Sequence, residues 1–322
     1  MRLVFMGTPE FAGPCLQSLQ KKGYEIVGVF TQPDRPAGRG NKLKVSPIKA
    51  IAESLKLPIY QPQKIKEPEA VEVLKNLQPD CIVVVAYGQI LSKEILSLPS
   101  LGCVNVHASL LPKYRGAAPI HWAIINGEKK TGVTTMLMDE GLDTGDMLLK
   151  AEYEIGENTT TGEVHDDLSH LGADLIISTI SGLENGDIKP MPQPKEFSYA
   201  PLLKREHEQL EWSWDAARIH NRIRGLNPWP GGFTFFRDEQ VKIWQSRRIE
   251  LGENKEEYLK NGEKSGQIVS LTESGLAVMT GNGMLEILEL QPAGKKKMSG
   301  RDFFNGRRGQ LGEVFKYNKE IT

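Results

Sequence analysis

Cys81-Ile82-Val83-Val84-Val85-Ala86 is an unbroken apolar run of strand length. A half-solvated strand alternates apolar and polar residues, so a run without a polar position reads as a parallel strand covered on both faces. Outward from this run the chain alternates strand and helix. Upstream, residues 3–6 and 25–31 read as strands, and 9–22, 46–55 and 67–77 as helices. In the first helix Phe11, Cys15, Leu16 and Leu19 share a side, with Thr8 as N-cap and Pro9 at the first helical position. Downstream, 103–107 and 133–138 read as strands and 118–126 as a helix. A long amphipathic helix at 160–183 opens with Thr160-Thr161-Gly162-Glu163, close to a capping box. This alternation predicts an α/β, Rossmann-like domain: a mostly parallel sheet with helices on both faces.

With 322 residues the chain has room for a second domain, since ~100–200 residues per domain is usual. The composition shifts at Lys189-Pro190-Met191-Pro192-Gln193-Pro194-Lys195. Prolines at alternate positions stiffen and extend a chain, so 189–206 reads as a Pro-rich linker between domains at 1–188 and 207–322. Beyond it a helix is predicted at 214–224, N-capped by Ser213 and broken by Asn227-Pro228-Trp229-Pro230-Gly231-Gly232. Strand-like runs follow at 233–237, 240–244, 266–271, 276–280 and 284–290, with a hairpin turn at Thr280-Gly281-Asn282-Gly283. Short strands with Gly-rich turns predict a small, OB-like β-barrel.

The formal net charge of −1 excludes a bulk polycation; any nucleic acid must be held by local basic patches. Such patches exist. Residues 34–44 hold Arg35, Arg39, Lys42 and Lys44 against Asp34 alone. Lys295, Lys296 and Lys297 precede Arg301, Arg307 and Arg308, and Arg218, Arg222 and Arg224 share a predicted helix. The ordinary fate of a charge run is solvation; the sharper reading is a grip on phosphates. Cys15, Cys81 and Cys103 form no C-x-x-C pair, which argues against a zinc site or redox dithiol and fits a reducing cytoplasm. No signal peptide or membrane-span-length apolar run is evident.

The chemistry concentrates in Asn105-Val106-His107-Ala108-Ser109-Leu110-Leu111-Pro112-Lys113-Tyr114-Arg115-Gly116. Residues i and i+2 of a strand share a face, so Asn105 and His107 project into one pocket while Val106 turns away. An acidic loop follows, with Asp139, Asp143 and Asp146. A lone strand histidine is ordinarily a satisfied structural residue. The same-face amide and the nearby carboxylates make a catalytic set instead: donors for an oxyanion and an acid to orient the imidazole, suited to acyl transfer without a covalent intermediate. Other chemistries fit poorly. Gly7-Thr8-Pro9-Glu10-Phe11-Ala12 lacks the glycines of a dinucleotide fingerprint, and the acidic loop lacks a calcium-loop register. His165 and His170 are not spaced as metal ligands on one helix face, and His121 beside Trp122 reads as packing. No metal is expected.

These stretches carry a resemblance. Residues 6–12, 31–40, 85–91, 105–112, 114–120, 139–146 and 227–231 together resemble the 10-formyltetrahydrofolate-dependent formyltransferase family along essentially the whole chain. The Asn/His/Asp set is common to the transferases and hydrolases of that family. Gln32-Pro33-Asp34-Arg35-Pro36-Ala37-Gly38-Arg39-Gly40 and Asn227-Pro228-Trp229-Pro230-Gly231 resemble the members that act on tRNA. Ser92 and Gly232 depart from the usual pattern, away from the proposed chemistry.

The resemblance implies an enzyme that moves formyl from 10-formyltetrahydrofolate to the methionine amino group of initiator tRNA, in translation initiation. It implies Asn105, His107 and Asp143 as catalytic residues and Ser109, Leu110, Leu111 and Pro112 as the folate-binding turn. Arg39 and Lys42 would lie in a loop at the tRNA acceptor end, with Lys295, Lys296, Lys297 and Arg301 on a tRNA-binding barrel. It favours a monomer without metal. Three rivals stay open: a formyltransferase acting on a nucleotide sugar or glycinamide ribotide, a hydrolase of the folate, and a silent RNA-binding protein.

Overall fold

The computed structural model describes residues 1–37, 42–249 and 264–318. By internal contact the chain forms two compact units. The first comprises Met1–Pro119, Thr131–Glu154 and His165–Ala200; the second comprises Ile120–Lys130, Ile155–Val164 and Pro201–Thr322. Neither is one continuous stretch, because the chain passes twice into the second unit before entering it for good.

The first unit is built on a sheet of β1 (Arg2–Gly7), β2 (Glu25–Phe30), β5 (Ile59–Tyr60), β6 (Cys81–Val85), β7 (Cys103–His107), β8 (Lys130–Leu137) and β9 (Met147–Glu154), in the order β5-β2-β1-β6-β7-β8-β9. The pairs from β5 to β7 are parallel and β8 runs antiparallel to β7. All of β6 is buried, as its unbroken apolar run requires. Its helices are α1 (Gly13–Lys22), α2 (Pro47–Ser54), α3 (Pro68–Leu77), α4 (Lys93–Leu96) and, from His165 onward, α6 (Thr161–Asn185), while α5 (Pro119–Ile125) falls in the second unit from Ile120. Ile82, Val84, Val71 and Leu74 pack with Phe30 and Ile95 in one core cluster.

Several local readings change. Thr8 does not cap α1: a 3-10 turn at Glu10–Ala12 comes first, and the Thr8 hydroxyl donates to the Tyr87 carbonyl at 2.9 Å. The basic loop contains a short hairpin, β3 (Arg35–Ala37) against β4 (Lys42–Lys44). The sequence pattern hid β9, which follows the acidic loop and whose outer part alternates half-buried and exposed residues after the buried Met147 and Leu148.

In the second unit α7 (Arg205–Glu208) and α8 (Ala216–Gly225) precede β10 (Gly232–Phe236), β11 (Glu239–Ile249), β12 (Ile268–Leu271), β13 (Leu276–Met279), β14 (Met284–Pro292), β15 (Met298–Ser299) and α9 (Gly300–Gly306). The N-cap of α8 is Asp215, accepting from the Arg218 amide at 2.8 Å, because Ser213 lies a half-turn too early and bonds Glu211 instead. The sheet order is β10-β11-β14-β13-β12, antiparallel throughout. The chain after α9 bridges both edges: Lys316 pairs with Phe235, and Val314 with Gln267. This closure makes the sheet an OB-like barrel around Leu285, Ile287, Phe236, Phe303 and Phe315. Among the described residues no helix is long and apolar enough to cross a membrane.

Candidate active site

β7 ends at the C-terminal edge of the parallel sheet, where open α/β folds place their ligands. Its neighbour β8 holds Met136 opposite Asn105 and Thr134 opposite His107. Val104 and Val106 are buried on the other face, while Asn105 stays half-buried. The His107 ring is 6 % exposed. Its Nε2–H donates to the Tyr114 carbonyl at 2.9 Å, since a carbonyl only accepts. Its Nδ1 faces Asp143 Oδ2 at 3.6 Å.

Asp143 is the acid that reaches the imidazole. Its Oδ2 accepts the Gly116 amide at 2.8 Å and its Oδ1 accepts Asn105 Nδ2 at 3.4 Å. The structure thus brings Asn105, His107 and Asp143 together. Asp139 turns back on its own loop, accepting from Gly141 N and Thr144 Oγ1, and the Asp146 carbonyl accepts from the Leu137 amide. Asp143 holds a left-handed backbone, φ +52°, a conformation that costs a non-glycine residue about 1–3 kcal/mol and persists only where its surroundings enforce it. Gly145 allows the close approach this needs: a Cβ there would lie 1.9 Å from the Leu137 carbonyl.

The turn after β7 is internally tied. The Ser109 hydroxyl donates to the Lys113 carbonyl at 2.6 Å. Thr134 Oγ1 donates to the Ser109 carbonyl at 2.7 Å and accepts the Leu111 amide at 3.1 Å. Leu111 is fully buried and joined to Pro112 by a cis peptide. Ser109 and Leu111 therefore build the turn, leaving Leu110 and Pro112 half-exposed on it.

Sequence reading missed the partners supplied by residues 191–200. Met191 pairs with Met147, Ser198 Oγ accepts the Tyr114 amide at 2.9 Å, and Ala200 exchanges backbone bonds with Arg115 and Ala118. Gln193 reaches the acidic loop: its Nε2 donates to the Asp143 and Gly145 carbonyls, each at 2.8 Å. Residues up to Ala200 are part of the first unit, and Met191, Gln193, Ser198 and Ala200 are bonded within it. The only local hint was an amide between two prolines, and its partners lie some fifty residues away.

The basic residues divide. Arg39 lies outside the described residues, and Lys42 begins β4. Lys295 and Lys296 are exposed in the turn between β14 and β15. Lys297 pairs with Glu289 at 3.2 Å and sits 4.3 Å above the Trp244 ring. Arg301 is exposed on α9 and donates to the Thr272 and Glu273 carbonyls. The α8 patch does not survive as a surface. Arg218 is exposed, but Arg222 and Arg224 are buried, and Arg224 donates to the Gly156 and Thr159 carbonyls. Burial, with Arg218 nearby, lowers the Arg222 guanidinium to about 10.

Burial pushes the Cys15 and Cys103 thiols up to about 12 and raises Cys81 as well, so none is a thiolate nucleophile at neutral pH. Among the described residues no group of three or more His, Cys, Asp or Glu side chains is placed to hold a metal ion. His121 and Trp122 bond the Trp229 and Pro201 carbonyls, as packing residues do.

Residues 1–180 match a family described as formyl transferase, and 202–308 match formyl transferase, C-terminal domain. A protein of Alkaliphilus oremlandii named methionyl-tRNA formyltransferase is 50 % identical over 315 residues, 98 % of this chain and 99 % of that one. A Clostridium perfringens protein of the same name is 50 % identical over 318 residues, covering 98 % and 100 %. Among solved structures, HypX from Aquifex aeolicus in complex with tetrahydrofolic acid shares the fold at a TM-score of 0.63 and 16 % identity, covering 99 % of this chain and 51 % of that one.

Proposed function

The chain belongs to the formyl transferase family, and on that premise we propose that it transfers the formyl group of 10-formyltetrahydrofolate to the free amino group of methionyl initiator tRNA. The observation that carries this reading is 50 % identity to proteins named for that activity over essentially the whole chain, second domain included. Catalysis is assigned to residues 1–188 and tRNA holding to 207–322, with 189–206 between them. The work is placed in the cytoplasm, with the enzyme a monomer.

The folate supplies an activated formyl group and receives a proton at N10 as that group leaves. The methionyl amine, in its neutral form, attacks the formyl carbon directly. A new C–N bond forms, the bond to N10 breaks, and no side chain is acylated. Asn105 Nδ2, whose bond to Asp143 is long at 3.4 Å, turns its donor to the oxygen that gains charge. His107 stabilises the same oxygen, its Nε2–H held by the Tyr114 carbonyl and its Nδ1 3.6 Å from Asp143 Oδ2. One such donor contributes ~2.7–4 kcal/mol to the transition state. Asp143 fixes the imidazole and orders water that carries the proton from the amine toward N10.

The turn Ser109-Leu110-Leu111-Pro112 fits a folate as a rigid ledge presenting Leu110 and Pro112. Arg39, Lys42, Lys295, Lys296, Lys297 and Arg301 are assigned to tRNA phosphates, contacts that fix register without reading sequence. The test incubates the protein with labelled 10-formyltetrahydrofolate and either methionyl initiator or methionyl elongator tRNA. Rapid label on the initiator alone is expected. Label on neither, with folate still bound, would move the acceptor to an amino sugar or ribotide.

A further inference from the structure

Arg115 is 6 % exposed, and no carboxylate pairs with it among the described residues. Its Nε and Nη2 donate instead to one atom, Gln193 Oε1, at 3.0 and 2.7 Å. A guanidinium only donates, so it dictates which end of the Gln193 amide faces it. The opposite end, Nε2, is thereby aimed at the carbonyls of Asp143 and Gly145, at 2.8 Å each. One amide thus joins a buried cation to the two backbone positions that shape the acidic loop. Pro192 and Pro194 flank Gln193 and restrict its backbone before it docks, which lowers the entropy lost on holding it there. The Phe197 ring lies 4.5 Å from the Arg115 guanidinium carbon and covers it.

We propose that Gln193, oriented by Arg115, is a positioning residue for the transfer reaction: it holds Asp143 in its left-handed conformation and so sets the carboxylate against His107 and Asn105. The inference rests on the reading of Asp143 as part of the formyl-transfer site. A left-handed conformation is strained in a non-glycine residue and persists where the surrounding structure enforces it. The Gly116 amide holds the Asp143 side chain, but among the described residues the Asp143 carbonyl is held by Gln193. Without that bond the peptide can rotate and carry the carboxylate with it.

The experiment measures kcat and both KM values for Gln193→Leu, Gln193→Glu, Asp143→Ala and the double variant Asp143→Ala/Gln193→Leu. Gln193→Glu keeps an oxygen for Arg115 but turns an oxygen that cannot donate toward the two carbonyls, so it breaks the link to the loop while Arg115 stays paired. Both Gln193 variants should lose about 10²-fold in kcat, the scale of an ångström misplacement, with KM unchanged; Gln193→Leu should also lower the thermal midpoint, because it leaves the buried Arg115 guanidinium without its acceptor. In the Asp143→Ala background Gln193→Leu should cost nothing further, since the two act as a unit. Multiplied losses in the double variant, or undiminished turnover of the Gln193 variants beside a crippled Asp143→Ala, would overturn the brace alone. Wild-type turnover by Asp143→Ala would remove the site reading and the brace with it. A crystal structure of Gln193→Glu gives a readout independent of the acceptor: Asp143 should leave its left-handed conformation, and an unmoved Asp143 refutes the proposal.

Discussion

At the scale of single residues, Asn105 and His107 are proposed to meet substrate and the groups around them to hold them in place. Asn105→Ala and His107→Ala should each lower kcat by about 10²–10³-fold, as loss of one oxyanion donor does, while folate affinity measured by titration stays near wild type. An equal loss of folate binding would instead mark them as binding residues. His220 offers a different test. It is buried in the second unit between Ser246 Oγ and the Glu157 carbonyl. Burial lowers its imidazole below the ordinary value, outweighing the raising effect of the Glu157 bond, with Arg224 and Arg248 adding to the lowering. The unfolded chain therefore takes up a proton first, at about pH 6.5. The neutral ring's contribution is whole above that pH and is lost as the pH falls toward the depressed folded value. Denaturant titrations from pH 7.5 to 5 should show wild type losing stability that His220→Gln keeps. Parallel curves would remove His220 as the cause.

At the scale of elements, the acidic loop depends on close backbone packing. A Cβ at Gly145 would fall 1.9 Å from the Leu137 carbonyl, so Gly145→Ala must displace the loop from β8. Turnover should fall sharply while the fold persists; normal kcat would show that the loop tolerates the shift. In the barrel the closing tail has its own anchor. Phe315 is 1 % exposed and stacks on Trp212 at 5.5 Å, with Phe236 at 5.4 Å. Phe315→Ala should cost about 3–5 kcal/mol, the range for a buried aromatic, read as a lowered unfolding midpoint of the second unit. A loss under 1 kcal/mol would mean the tail is not integral to the barrel. Element types were largely readable from periodicity, but caps were not. Thr8 and Ser213 both have cap chemistry, yet tertiary bonds claim Thr8, and Asp215 sits at the true first turn of α8.

At the scale of the whole molecule, a nearly neutral chain must hold a polyanion by locally placed cations. KM for charged tRNA should therefore rise steeply with salt while KM for folate stays nearly flat. Replacing Lys295 and Lys296 by alanine should reduce the salt slope by about one per cation removed, leaving kcat at saturation intact. An unchanged slope would take the β14–β15 turn out of the tRNA surface. The burial of Arg222 and Arg224 sharpens the forecast: neither should alter the slope, because neither presents its charge to solvent.

Features that repeat locally were legible in the chain alone. The apolar run at 81–86, the βα alternation around it, the two-residue spacing of Asn105 and His107 and the short strands of the second half follow from side-chain periodicity, which is a property of neighbours in the chain. Tertiary structure decided which of three aspartates meets the imidazole, which arginines are buried, and that the tail closes the barrel. It also turned the proline-rich stretch into a brace on the acidic loop through Gln193. Those outcomes depend on groups far apart in sequence, brought within hydrogen-bond reach only after the sheet is paired, and no local pattern encodes such a distance.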